Sequence, residues 1–201
     1  MRPDRSVLAL LAANVAALAI AWALKMSLRD LMLVYWIQSV IIGVTSCIRI
    51  LRLERFDTDG FRINNQAVEE TPATKRRVAA FFAMHYGFFH LVYFIFIVAP
   101  GAPGKLGSLG AYVLCAAVFA VNHGYSLRHN LERDARGRPN IGTLMFLPYA
   151  RIVPMHATIL FGGMFAGMPA FFLFGGLKTL ADVAMHVVEH HVLGKQQARP
   201  A

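Results

Sequence analysis

Apolar residues fall into six long runs, divided by short polar stretches, over residues 7–24, 31–51, 78–99, 109–127, 143–166 and 168–193. About 20 residues at a rise of 1.5 Å each cross the ~30 Å hydrocarbon core of a bilayer. Each run is therefore predicted to be a transmembrane helix. The expected fold class is all-α, a polytopic bundle of six spans forming one membrane domain over residues 1–201.

The interruptions of this pattern are informative. Residues 52–77 form the one sizeable hydrophilic loop, with Asp57, Asp59, Gly60, Asn64, Asn65, Glu69 and Glu70, and are too few for a separate domain. At the end of that loop, Thr71 and Pro72 have the chemistry of an N-cap and a first helical residue. Pro148 and Pro154 each lack a backbone donor and clash with the preceding turn, which predicts a kinked or broken fifth span. Arg2 and Arg5 ahead of the first run give it the shape of a signal peptide. Its apolar stretch exceeds the roughly 7–15 residues of a signal core, so a retained helix is expected.

Composition agrees with a membrane location: 57% of residues are hydrophobic and 15% charged, against about 25% charged in soluble domains. The net charge of +9 would suggest nucleic acid on a soluble protein. Here orientation explains it better, and no nucleic-acid partner is expected. With a cytoplasmic N-terminus, Arg2, Arg5, the basic residues from Arg49 to Arg77, Arg128, Arg133, Arg136, Arg138, Lys195 and Arg199 all lie inside. Only Lys25, Arg29 and Lys105 lie outside, while Arg151 and Lys178 fall within spans. This bias places both termini in the cytoplasm and the chain in a cytoplasmic (inner) membrane as a multi-pass protein. Cys47 and Cys115 fall in different spans at different depths. That argues against a disulfide, and a structural zinc site built on thiolates is excluded.

Ionisable groups inside a bilayer are costly and usually mark function. His85 and His90 lie in the third span, His123 in the fourth, Arg151 and His156 in the fifth, and Lys178, Asp182, His186 and Glu189 in the sixth. At ~100° per residue, Lys178, Asp182, His186 and Glu189 share an arc of roughly 80°. Centring each span puts His90, His156, Lys178 and Asp182 near the midplane. His85, His123, Arg151 and His186 then lie about 6–9 Å toward the cytoplasm. Imidazoles with carboxylates are the ligands of zinc and of non-haem iron. His85, His90, His123, His156 and His186 are thus candidate metal ligands. Asp182 and Glu189 are candidate ligands or bases, and Arg151 a candidate anion-holding group. The spacings His85-x4-His90 and His186-x3-His190-His191 resemble the histidine boxes of membrane desaturases and hydroxylases, without a third box. The plainer alternative is structural: Arg151, Lys178, Asp182 and Glu189 sum to zero charge and could form two buried ion pairs.

The segments HYGFFH, NHGYS, YARIVPMH and KTLADVAMHVVEHH on a six-span frame resemble an uncharacterised family of bacterial multi-span membrane proteins, a domain of unknown function. The resemblance implies a bacterial cytoplasmic-membrane protein and no particular activity. It also implies an acidic residue shortly after a Tyr-Trp pair in span two, where this chain has Tyr35-Trp36-Ile37-Gln38.

Three functions follow as expectations. The first is an intramembrane metal site, holding zinc or iron, in an enzyme acting on a lipid or small apolar substrate. The second is a proton-coupled transporter or channel using the same residues as a relay; a bundle this small would need to form a homo-oligomer for that task. The third is bis-histidine haem binding, for example by His90 and His156. A non-catalytic subunit of a larger complex is a further possibility.

Overall fold

The computed structural model describes residues 5–99, 106–150, 152–153 and 172–185. Among these are six helices: α1 (Arg5–Ala23), α2 (Leu28–Arg52), α3 (Pro72–Val98), α4 (Leu109–Arg136), α5 (Ile141–Ala150) and α6 (residues 172–185). Between α2 and α3 lies a two-stranded antiparallel hairpin, β1 (Arg62–Ile63) and β2 (Gln66–Ala67). Its turn residues Asn64 and Asn65 have φ of 51° and 62°, a left-handed conformation that asparagine tolerates better than most residues.

Helices α2, α3 and α4 are each long and apolar enough to cross a bilayer, while α1 and α5 contribute shorter apolar stretches. The expected N-cap is present: Thr71 Oγ1 accepts from the Thr74 N–H at 3.2 Å and Pro72 opens α3. Helix α4 runs nine residues beyond the apolar run, ending at Arg136. Basic Arg133 and Arg136 suit the carbonyl-rich C-terminal turn of that helix. Of the fifth span the structure describes residues 143–150 and 152–153, and Pro154 lies outside the described residues. Pro148 lies inside α5, the helix stops at Ala150, and an Ile152 N–H to Tyr149 carbonyl bond closes a turn.

Helix α2 is the centre of the bundle, packed against α3, α4 and α5, and α1 leans on α4. Buried Ala13, Ala17 and Ala21 repeat every four residues along α1, and small residues at that spacing let helices approach closely. The partners of α2 divide by face. Tyr35 touches Phe119 of α4 and Phe174 of α6, and Arg49 pairs with Asp134 of α4. Trp36 and Ser39 bond to α3, and a Cβ added at Gly43 would meet Tyr86 Cε1 at 2.7 Å. At ~100° per residue these two sets occupy arcs about 60° wide, centred roughly 100° apart.

Polar fasteners hold the two ends. Near the start of α2, Asp30 closes a capping box with Ser27 and accepts from the Tyr112 hydroxyl and the Gly107 N–H. Beside it, Arg29 Nε donates to the Ile97 carbonyl at 2.6 Å. At the other end, Asn140 caps α5 through Thr143 N–H and donates to the Asp59 carbonyl, which ties the hairpin loop to the α4–α5 turn. Lys75 Nζ reaches the Leu53 carbonyl at 2.7 Å. Cys47 and Cys115 are free thiols.

Candidate functional site within the helix bundle

The side chains of Lys178 and Asp182 have no exposed surface, and Lys178 Nζ donates to Asp182 Oδ1 at 2.6 Å. One turn of α6 separates them, so the pair forms within a single helix. Gln38 of α2 completes the group, its Nε2 donating to Asp182 Oδ2 at 3.0 Å. The Tyr35 ring lies under the ammonium, 5.5 Å from Nζ to centroid, a geometry in which the ring's negative face stabilises the cation. Where a carboxylate is implied by the family resemblance, this chain thus presents an amide that binds the α6 carboxylate.

Register along α2 fixes the level of the neighbours. Phe119 touches Tyr35, so Asn122, nearly a turn further along α4, comes level with Gln38. Trp36 Nε1 donates to the His90 carbonyl at 2.7 Å and the Tyr86 hydroxyl donates to the Ser39 carbonyl at 3.1 Å. His90 therefore lies at nearly the same level, near the middle of α2. Several buried polar atoms in this slab have no hydrogen-bond partner among the described residues: Gln38 Oε1, Ser39 Oγ, His90 Nε2 and both polar atoms of the Asn122 amide. In a hydrocarbon slab each such atom costs several kcal/mol. Water or a polar cargo would satisfy them.

The slab is divided by α2. Gln38, Lys178 and Asp182 occupy the side of α4 and α6; Ser39, Tyr86 and His90 occupy the side of α3. His90 is buried, and its Nδ1 donates to the Tyr86 carbonyl at 2.8 Å. His85, five residues earlier and roughly 140° away around the helix, is exposed and bonded through Nδ1 to the Tyr149 hydroxyl at 2.9 Å. One metal ion cannot be shared by two imidazoles so divided. His123 is buried on α4, whereas His129 is exposed. Among the described residues no three His, Cys, Asp or Glu side chains are grouped so as to hold a metal ion. Arg151, His156, His186, Glu189, His190 and His191 lie outside the described residues.

Two contacts that the sequence did not reveal belong to this picture. Arg49 and Asp134 make a second buried pair, with Nε to Oδ2 at 2.5 Å and Nη2 to Oδ1 at 2.9 Å. Arg49 was visible as a charge near the end of an apolar run. Its partner, 85 residues away in a polar segment, carried no such mark. Gln38 was visible after Tyr35-Trp36-Ile37, where the family resemblance implies an acid, but its meeting with Asp182 was not. The open clefts of about 390 and 450 Å³ lie elsewhere, one at His129 and Arg136 on α4, the other between Phe61 and Phe146.

No curated protein and no solved structure matches the chain. A family model matches residues 1–199, and the chain belongs to that family, DUF6498, a family of unknown function.

Proposed function

We propose that this integral membrane protein moves protons through the slab built on Lys178 and Asp182. The observation that carries the reading is a fully buried ion pair within one helix, set among buried polar atoms that have no hydrogen-bond partner among the described residues. Such groups in a membrane span mark relays and cargo paths. The chemistry balances. A proton from one side neutralises the Asp182 carboxylate, and Lys178, now a buried cation without its counter-ion, releases a proton to the other side. Transfer from the Asp182 acid to the Lys178 amine then restores the pair, and one proton has crossed. Gln38 orients Asp182 throughout. The positive-inside bias supports placement in a bacterial cytoplasmic membrane with both termini inside.

Flux into proteoliposomes under an imposed potential, read with an internal pH dye, tests this. Asp182→Asn should cut the rate at least roughly tenfold while the thermal unfolding midpoint stays near wild type. The double variant Lys178→Met/Asp182→Leu removes both charges together and should fold without conducting. Wild-type flux from either variant overturns the proposal.

A second reading, metal or haem binding, is favoured by His90. Its Nδ1–H is held by a backbone carbonyl and its Nε2 lone pair is left open, the arrangement that orients an imidazole toward a metal. Zinc or iron there would draw its other ligands from outside the described residues, for example His156. Elemental analysis and an absorption spectrum of purified protein test it: at least one ion per chain, or a Soret band, lost in His90→Ala.

A further inference from the structure

His85 lies in the middle of a membrane-spanning helix and is exposed. Histidines in spans ordinarily face the protein interior. Its neighbour Tyr86 bonds to Ser39 near the centre of α2, and centring the span puts His85 about 6–9 Å from the bilayer midplane. The ~30 Å core then puts the nearer phospholipid headgroups about 6–9 Å away, beyond the roughly 3 Å of a hydrogen bond.

His85 is also held in place. Phe81 stacks on it at 5.3 Å and 15°, Phe89 meets it edge-on at 5.1 Å, and Tyr149 bonds to Nδ1. Proton counting then shows what remains. A neutral imidazole and a phenol carry one N–H and one O–H, and their mutual bond uses one of these. If Tyr149 donates, Nε2–H is left over; if Nδ1 donates, the Tyr149 hydroxyl is. Either tautomer leaves one donor, and in hydrocarbon an unmet donor is costly. Phe81 and Phe146, each about half exposed or more, extend the aromatic surface around the pair.

We infer that this His85–Tyr149 pair is a binding site, entered from the lipid, for a flat lipid-soluble ring bearing a carbonyl acceptor, the quinone class. Headgroup phosphates and esters lie too far away to meet the donor. A planar ring can lie on the exposed phenylalanines while its carbonyl accepts the remaining proton. The site is on the α3–α5 side of the bundle, across α2 from Lys178 and Asp182. It depends on the membrane location of α3 and not on proton transport.

The test uses full-length protein in nanodiscs with a short-chain azido-benzoquinone as photoprobe. Labelling should saturate, map to peptides containing Phe81 or Phe146, and be competed by unlabelled decyl-benzoquinone but not by added phospholipid. His85→Leu and Tyr149→Phe should each weaken binding by about tenfold, the equivalent of about 1.4 kcal/mol. Both substitutions are conservative in volume or exposed, and the unfolding midpoint confirms that each variant is folded. Equal saturable labelling of wild type and both variants overturns the proposal. So does finding that wild type is a dimer in light scattering while His85→Leu is a monomer, since a second copy would then be what covers the pair.

Discussion

Arg49 and Asp134 come from different helices, whereas Lys178 and Asp182 stand one turn apart on the same one. Both pairs are buried. The first joins α2 to α4 by two parallel hydrogen bonds near the basic, loop-bearing end of the bundle. A bidentate guanidinium–carboxylate pair has a fixed geometry, and breaking it separates two helices. The second pair lies within α6, and both Gln38 and the Tyr35 ring connect it to α2. An ammonium on a flexible stem can leave its partner without moving a helix. Lys178 and Asp182 can meet without two helices coming together, whereas Arg49 and Asp134 cannot.

That contrast can be broken by experiment. The largest effect is expected at the staple. Arg49→Ala leaves the Asp134 carboxylate buried and alone, which should cost about 3–5 kcal/mol. Adding Asp134→Ala should recover much of the loss, read as the unfolding midpoint in detergent. If the double variant regains stability and conducts protons like wild type, the staple is structural and the two pairs are different in kind. Gln38→Leu should be milder, about 1.5–3 kcal/mol, because it removes a hydrogen bond to a charged group and leaves the Lys178 contact in place. A loss as large as that of Arg49→Ala would mean that the α6 pair is also a fastener. The smallest effect belongs to Arg138, whose bond to Glu70 is exposed at 48% and 36%. Arg138→Ala should change stability by no more than about 0.2–1 kcal/mol, and less at high salt.

The same contrast separates what was legible in the chain from what was not. Lys178 and Asp182 were legible because both ends of the pair lie four residues apart on one apolar helix, and helical periodicity brings such residues together. Asp134 was not, because its partner is distant in sequence. The three long apolar helices and the Thr71 cap were likewise local matters of hydropathy and side-chain oxygen placement. His90 and Asp182 bond to neighbouring turns of α2, at Trp36 and Gln38, and so share a level along that helix. The shared level did not make one cluster, because depth is set by position along a helix and facing by how helices pack. His85 and His90 show this best, one exposed beside Tyr149 and the other buried against α2.

By itself, then, the sequence determined the membrane character, the helices and the presence of costly polar groups at mid-depth. Each of these depends on residues within a few turns of one another. Only the tertiary structure decided that α2 would be the central helix, that Gln38 would meet Asp182, and that α2 would divide His90 from the ion pair. Those outcomes depend on rotation and neighbour choice among helices whose lipid-facing and partner-facing surfaces are equally apolar, and hydropathy does not distinguish the two.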